Sequence, residues 1–191
     1  MSRIILQNIS KSYGEKIVLN NFSAEIPLGC VYCITGPSGS GKTTLLRIIA
    51  GLECEYEGEV IGSEYLKKSM VFQEDRLCVS ITAGSNIKLV NPKLSDSEVL
   101  EAMEAVGLGD CFGKSVSELS GGMARRVAVL RAALAEYDIL LMDEPFRGLD
   151  ESARAMTVRE VKKRATGRTV IMVTHLMFEA DEMGTNHLVK I

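Results

Sequence analysis

The sequence has no apolar run approaching the ~18 residues that cross a bilayer as a helix. Its start, Met1 to Asn8, turns polar too early for a secretory signal. Both absences point to a cytoplasmic chain that reaches a membrane only through a partner. Positive charge is not in excess: the formal net charge is −3 over 191 residues. That argues against bulk nucleic-acid binding but leaves local anion sites open. Cysteines are few and odd in number (Cys30, Cys33, Cys54, Cys78 and Cys111), so reduced thiols are expected. Cys30 and Cys33 have C-x-x-C spacing, but no second Cys/His pair accompanies them. Positions i and i+3 of a strand also face opposite sides, which favours core residues over metal ligands. There is no internal repeat and no low-complexity tract. Of the two histidines, His187 has no motif around it. What remains is a chain that is 46% hydrophobic, suited to one globular domain of residues 1–191 with a buried core.

Against that background one stretch stands out: Gly36-Pro37-Ser38-Gly39-Ser40-Gly41-Lys42-Thr43-Thr44. It fits the phosphate-loop pattern of Gly, four residues, then Gly-Lys-Ser/Thr. The apolar run Val31 to Ile34 before it reads as a buried strand, and Leu45 to Ala50 after it as a helix closed by Gly51. In that context glycine N–H groups turn inward as an anion nest and the helix dipole adds to it. Lys42 then reaches β- and γ-phosphates, and the Thr43 hydroxyl holds Mg²⁺.

Taken in order, residues 3–9 and 16–26 read as strands around a turn at 10–15 with Tyr13 at its tip. Short strands follow near Val60 and at 70–72, ending at Gln73. Residues 76–118 lack β runs; Ser95-Asp96-Ser97-Glu98 is a capping box opening a helix stopped by Gly107. A long helix runs from Gly121-Gly122 to Ala135. Strands at 139–142 and 169–174, helices at 151–165 and 177–183, and a last strand at 188–191 complete the chain. Alternating strands and helices argue for an α/β fold with a mainly parallel sheet and a helical insertion. The expected division is a core of 1–75 and 126–191 with a helical segment of about 76–125.

Ile139 to Met142 would be a buried strand ending in Asp143 and Glu144. Asp143 fits a second Mg²⁺ position, and Glu144 stands where it could face an attacking water as general base. Leu119-Ser120-Gly121-Gly122-Met123 precedes the long helix. It is either a second anion site at a helix start or an ordinary Ser cap with a Gly-Gly turn.

Together these stretches resemble the ATP-binding subunits of ABC transporters, over nearly the whole chain. Gly36 to Thr43 resembles the Walker A loop, Gln73 the Q-loop glutamine, and Leu119 to Met123 the signature motif. Ile139 to Asp143 resembles Walker B with Glu144 as catalytic glutamate, Gly148-Leu149-Asp150 the D-loop, and Thr174-His175 the switch histidine. The resemblance implies a P-loop ATPase core with an N-terminal antiparallel β-subdomain, working with ATP and Mg²⁺. It implies that Tyr13 stacks on adenine, that Gln73 senses Mg²⁺ and the γ-phosphate, and that His175 holds the γ-phosphate. Asp150 would contact a partner subunit, cap a helix, or both. It further implies a homodimer or heterodimer of ATPase subunits, with ATP between one Walker A loop and the other subunit's Ser120, Gly121 and Gly122. Transmembrane permease subunits and a substrate-binding protein would complete the assembly, placing the chain on the inner face of the membrane. Residues 71–77 and 142–146 are most similar to the nitrate/sulfonate/taurine group of importers. Cys78-Val79-Ser80, where that group has Leu-Pro-Trp, departs from it. Met123-Ala124-Arg125-Arg126 departs from the usual glutamine-rich ending of the signature, and the chain stops soon after its final strand. An ABC-type ATPase on a soluble target and a P-loop small-molecule kinase are the alternative readings.

Overall fold

The structure, a computed structural model, describes residues 3–185 and 187–191. Two sheets organise it. A three-stranded antiparallel sheet has the order β2-β1-β4, from β1 (Arg3–Tyr13), β2 (Lys16–Pro27) and β4 (Glu57–Ile61). A five-stranded parallel sheet has the order β5-β6-β7-β3-β8, from β3 (Val31–Thr35), β5 (Lys68–Val71), β6 (Ile139–Asp143), β7 (Thr169–Val173) and β8 (His187–Lys190). The fold is therefore the expected mixed α/β arrangement, with a parallel sheet and an antiparallel one. One strand end differs: β1 runs on to Tyr13, so the connection to β2 is only Gly14-Glu15, shorter than the turn expected at 10–15. Register shifts between Leu6 and Ser12, with Asn8 at φ 54°, break the period-two alternation that would have revealed the longer strand.

The central strands are buried on both faces, as parallel strands covered by helices must be. Alternation divides them between two cores. Cys33, Leu140, Met142, Val170 and Met172 face one cluster with α4 (Gly121–Ala133), α5 (Glu151–Arg164) and α6 (Met177–Met183). Tyr32, Ile34, Ile139, Leu141, Ile171 and Val173 face the other, shared with α1 (Lys42–Ala50) and the antiparallel sheet. A third cluster joins α4 to α2 (Ala83–Lys88) and α3 (Asp96–Ala105). Capping is local and legible: Ser95 and Glu98 form the capping box of α3, and Gly51 closes α1 in a left-handed conformation. All five cysteines are free, with Cys33 and Cys111 buried. No helix of the described residues is long and apolar enough to cross a membrane.

Candidate active site

The parallel sheet delivers four chain segments to one edge. The carboxyl ends of β3, β5, β6 and β7 lead to the 36–41 loop, Gln73, Asp143-Glu144 and Thr174-His175, which is where open α/β sheets bind ligands. A cleft of about 830 Å³ opens there, lined among others by Gly36, Lys42, Gln73, Glu144, Arg147 and His175. Pro37 and Ser38 line it too.

The loop suits a polyphosphate. Gly41 is the N-cap of α1 at φ 95° with no side-chain cap bond, and the first turn carries no acidic residue. The orphan N–H groups of a helix start and its positive pole are thus left for an anion. Lys42 is 7% exposed, and its Nζ arches back to donate to Gly36 O at 2.9 Å and Pro37 O at 2.7 Å. The Ser40 hydroxyl is buried without a partner among the described residues, an orphan that a bound group can satisfy. The loop is tightly seated: a Cβ on Gly41 would lie 2.6 Å from Val18 O, and one on Gly36 would collide with Ile191 O. Thr43 and Thr44 form the first turn of α1.

Asp143 is 1% exposed. Burial pushes its carboxyl above the usual range. The nearby Thr43 hydroxyl counters this, Glu144 adds to it, and Arg125 and Lys42 also counter it. A buried acid with a hydroxyl near it is an oxygen donor set that suits Mg²⁺, which takes one or two carboxylates together with phosphate oxygens and waters. The next residue, Glu144, has φ 45°, a left-handed conformation costing about 1–2 kcal/mol for a side chain with a Cβ. Its N–H donates to Val173 O at 2.9 Å, and its carbonyl accepts from Arg125 Nη2 at 2.6 Å. Thus held, its carboxylate comes within 3.4 Å of His175 Nδ1 and 3.7 Å of Arg147 Nη1. His175 itself is half-exposed. Behind it, the buried Thr174 hydroxyl donates to Glu179 and accepts from Leu176 N at 3.0 Å. Burial raises the Glu179 carboxyl above its ordinary range, the Thr174 hydroxyl partly offsetting it.

Other expected residues lie elsewhere. Ser120 caps α4 by accepting from Met123 N at 3.3 Å, with Gly121 and Gly122 as its first residues. This helix start is outside the cleft lining and lies beside the 148–149 turn, since a Cβ on Gly122 would sit 3.7 Å from Gly148 O. Asp150 caps α5, accepting from Ala153 N at 2.8 Å. Tyr13, at the end of β1, is also outside the cleft lining. Its hydroxyl donates to Glu53 at 2.8 Å, and Lys11 Nζ stands 4.8 Å from its ring centre.

Sequence reading missed Arg125, Arg147 and Glu179. Only Arg125 left a signal, as a departure from the glutamine-rich pattern.

Comparison with known proteins accords with this geometry. Residues 19–147 match the family described as ABC transporter. The chain is 41% identical over 187 residues to the aliphatic sulfonates import ATP-binding protein SsuB of Bacillus cereus, covering 90% of this chain and 72% of that one. It is 31% identical over 189 residues to the lantibiotic transport ATP-binding protein SrtF of Streptococcus pyogenes, covering 93% and 82%. It is 34% identical over 210 residues to the Fe(3+) ions import ATP-binding protein FbpC of Pasteurella multocida, covering 98% of this chain and only 60% of that relative. With more than half its length inside the family match and relatives of this kind on either side of 40% identity, the chain belongs to the ABC transporter family as an ATP-binding subunit with ATPase activity.

Proposed function

We propose that the chain hydrolyses MgATP in the cleft between its 36–44 loop and a second ATPase subunit, and so drives import through permease subunits. The observation that carries this reading is the convergence of Lys42, Gln73, Glu144 and His175 on one cleft. Loop N–H groups, including those of Gly39, Ser40 and Gly41, bind the phosphates, and Lys42 exchanges its loop carbonyls for phosphate oxygens. Thr43, Asp143 and Gln73 would hold Mg²⁺, which neutralises charge on the phosphates when bound. Glu144 accepts the proton of a water whose oxygen attacks the γ-phosphorus. The bond to the bridging oxygen breaks, and ADP and phosphate leave. His175, beside Glu144, holds the transferred group.

Ser120, Gly121 and Gly122 lie outside this chain's own cleft, which supports a role on a partner's ATP; Asp150 then caps α5 and faces that partner as well. Tyr13 stacks on adenine by releasing its ring from Lys11. ATP binds the closed dimer better than the open one, so closure follows binding. That motion is transmitted through the helical segment of about 76–125 to permeases, keeping the chain peripheral on the inner face of the membrane. A cargo of nitrate, sulfonate or taurine type is supported by residues 71–77 and 142–146 and by the likeness to a sulfonate-import protein. Deleting the chain from its host tests the cargo: growth on taurine or alkanesulfonates as sole sulfur source, and on nitrate as sole nitrogen source, is measured. Loss on one of them is expected, and undiminished growth on all would exclude that cargo class.

A further inference from the structure

Arg125 stands in the second turn of α4 and is only 4% exposed. Its guanidinium donates from Nε to Pro145 O at 2.9 Å, and from Nη2 to Asp143 O at 2.9 Å and Glu144 O at 2.6 Å. From Nη1 it reaches Phe72 O at 2.6 Å, Gln73 O at 3.4 Å and the Asp75 carboxylate at 3.2 Å. One buried cation therefore joins the turn carrying Glu144 to the loop carrying Gln73.

The arrangement needs this side chain. Three consecutive carbonyl oxygens, those of residues 143, 144 and 145, all accept from this one guanidinium, whose charge offsets the repulsion among carbonyl dipoles turned toward a common group. The turn that aims them includes the left-handed Glu144 peptide, a conformation that persists only where its surroundings over-determine it. A planar guanidinium with five donors spans both loops. A glutamine, the residue type in which this ending of the signature is usually rich, has two N–H donors on one nitrogen. A lysine has three donors on one atom. Neither can bridge carbonyls on opposite sides of the fork.

We propose that Arg125 is a positioning residue for hydrolysis, fixing the Glu144 peptide and the Gln73 loop in one rigid relation so that base and sensor move as a unit. The inference rests on the reading of Glu144 as general base. Wild type, Arg125→Gln, Arg125→Lys, Glu144→Gln and the double variant Arg125→Gln/Glu144→Gln are compared. The measurements are thermal melting, MgATP affinity by calorimetry, phosphate release, and amide hydrogen exchange of the nucleotide-free protein. Both Arg125 variants should lose about 10²-fold in kcat, the effect of a misplaced group, with MgATP affinity within about threefold of wild type. In the Glu144→Gln background Arg125→Gln should add much less than its own loss, because most of its effect passes through that carboxylate and only the remainder through the Gln73 loop. Segments 72–76 and 143–147 should both exchange faster in the nucleotide-free variants.

A kcat close to wild type, a loss confined to affinity, a full additional loss in the Glu144→Gln background, or faster exchange in only one segment would each overturn the proposal. Failure of both Arg125 variants to fold would also overturn it, since Arg125 would then serve the fold at large. An undiminished rate in Glu144→Gln overturns the base reading itself and this proposal with it. A normal Arg125→Gln beside an inactive Glu144→Gln overturns the proposal alone.

Discussion

Replacing Gly41 by alanine separates two costs that glycine removes from the phosphate loop. The first is conformational: at φ 95° an L side chain costs about 1–2 kcal/mol. The second is steric. The new Cβ would meet Val18 O at 2.6 Å and Leu19 Cδ2 at 2.8 Å. One of these is backbone that cannot swing aside, so overpacking adds about 1–3 kcal/mol. Gly39 supplies the control, because it has φ 80° and nothing within 4 Å of a Cβ. Gly39→Ala therefore pays only the first cost, and the unfolded-state entropy change is common to both variants. Urea titration of both should place Gly41→Ala about 1–3 kcal/mol below Gly39→Ala, or about 2–12 °C lower in Tm at this chain length. The same clash pushes the first turn of α1 away from the loop, so MgATP affinity should fall along with stability. Equal stabilities would refute the close seating of the loop against β2.

Lys42→Ala removes the fixed counter-charge of the loop, so calorimetry should show strongly weakened MgATP binding; unchanged affinity and turnover would remove the phosphate-loop reading. Gly121→Asp has room for its side chain, with nothing within 4 Å of the Cβ, but puts a carboxylate where a partner's phosphate would lie. Mixed with Lys42→Ala it should recover one intact site per heterodimer, and proven heterodimers with no ATPase activity would count against action in trans. The raised Glu179 carboxyl makes folding pH-dependent. The unfolded chain gives up that proton near 4.5 while the folded chain retains it to higher pH, so stability falls as pH rises between the two values. Glu179→Gln should flatten that fall in a series of melting curves, and parallel curves for the two proteins would contradict it. Thiol titration should find Cys54 and Cys78 reactive in the native protein. Cys33, buried and pushed up to about 12, should react only on unfolding, and its rapid native labelling would refute its place in the core.

The α/β order and most elements were legible because their signals are local. Continuous apolar runs gave the three central parallel strands, and Ser95-to-Glu98 and Gly51 marked helix ends. Helix α2 was not legible: Ala83–Lys88 is six residues long and contains Gly84. That glycine serves packing, since a Cβ there would lie 2.6 Å from the Phe112 ring. The residue types of the cleft could be read from motif spacing, but its forces could not. Nothing in the Asp143-Glu144-Pro145 triplet announces a left-handed peptide. The arginine that holds it gathers acceptors from residues 72–75 and 143–145, far apart in the chain. Likewise, Tyr13 is an aromatic at a turn in the sequence, but only the fold brings Glu53 and Lys11 against it.

Glu144→Gln puts the central claim to its most direct test. The amide keeps size and hydrogen bonding but cannot take the water's proton, while Lys42 and Thr43 still bind phosphate. Phosphate release is measured beside size-exclusion chromatography with and without MgATP. Turnover should drop by roughly 10²–10⁴-fold, and the variant should accumulate as an ATP-bound dimer, because a carboxylate that repels the γ-phosphate has been neutralised. Hydrolysis at the wild-type rate would contradict the assignment of Glu144, and a slow variant that stays monomeric in MgATP would contradict the shared site.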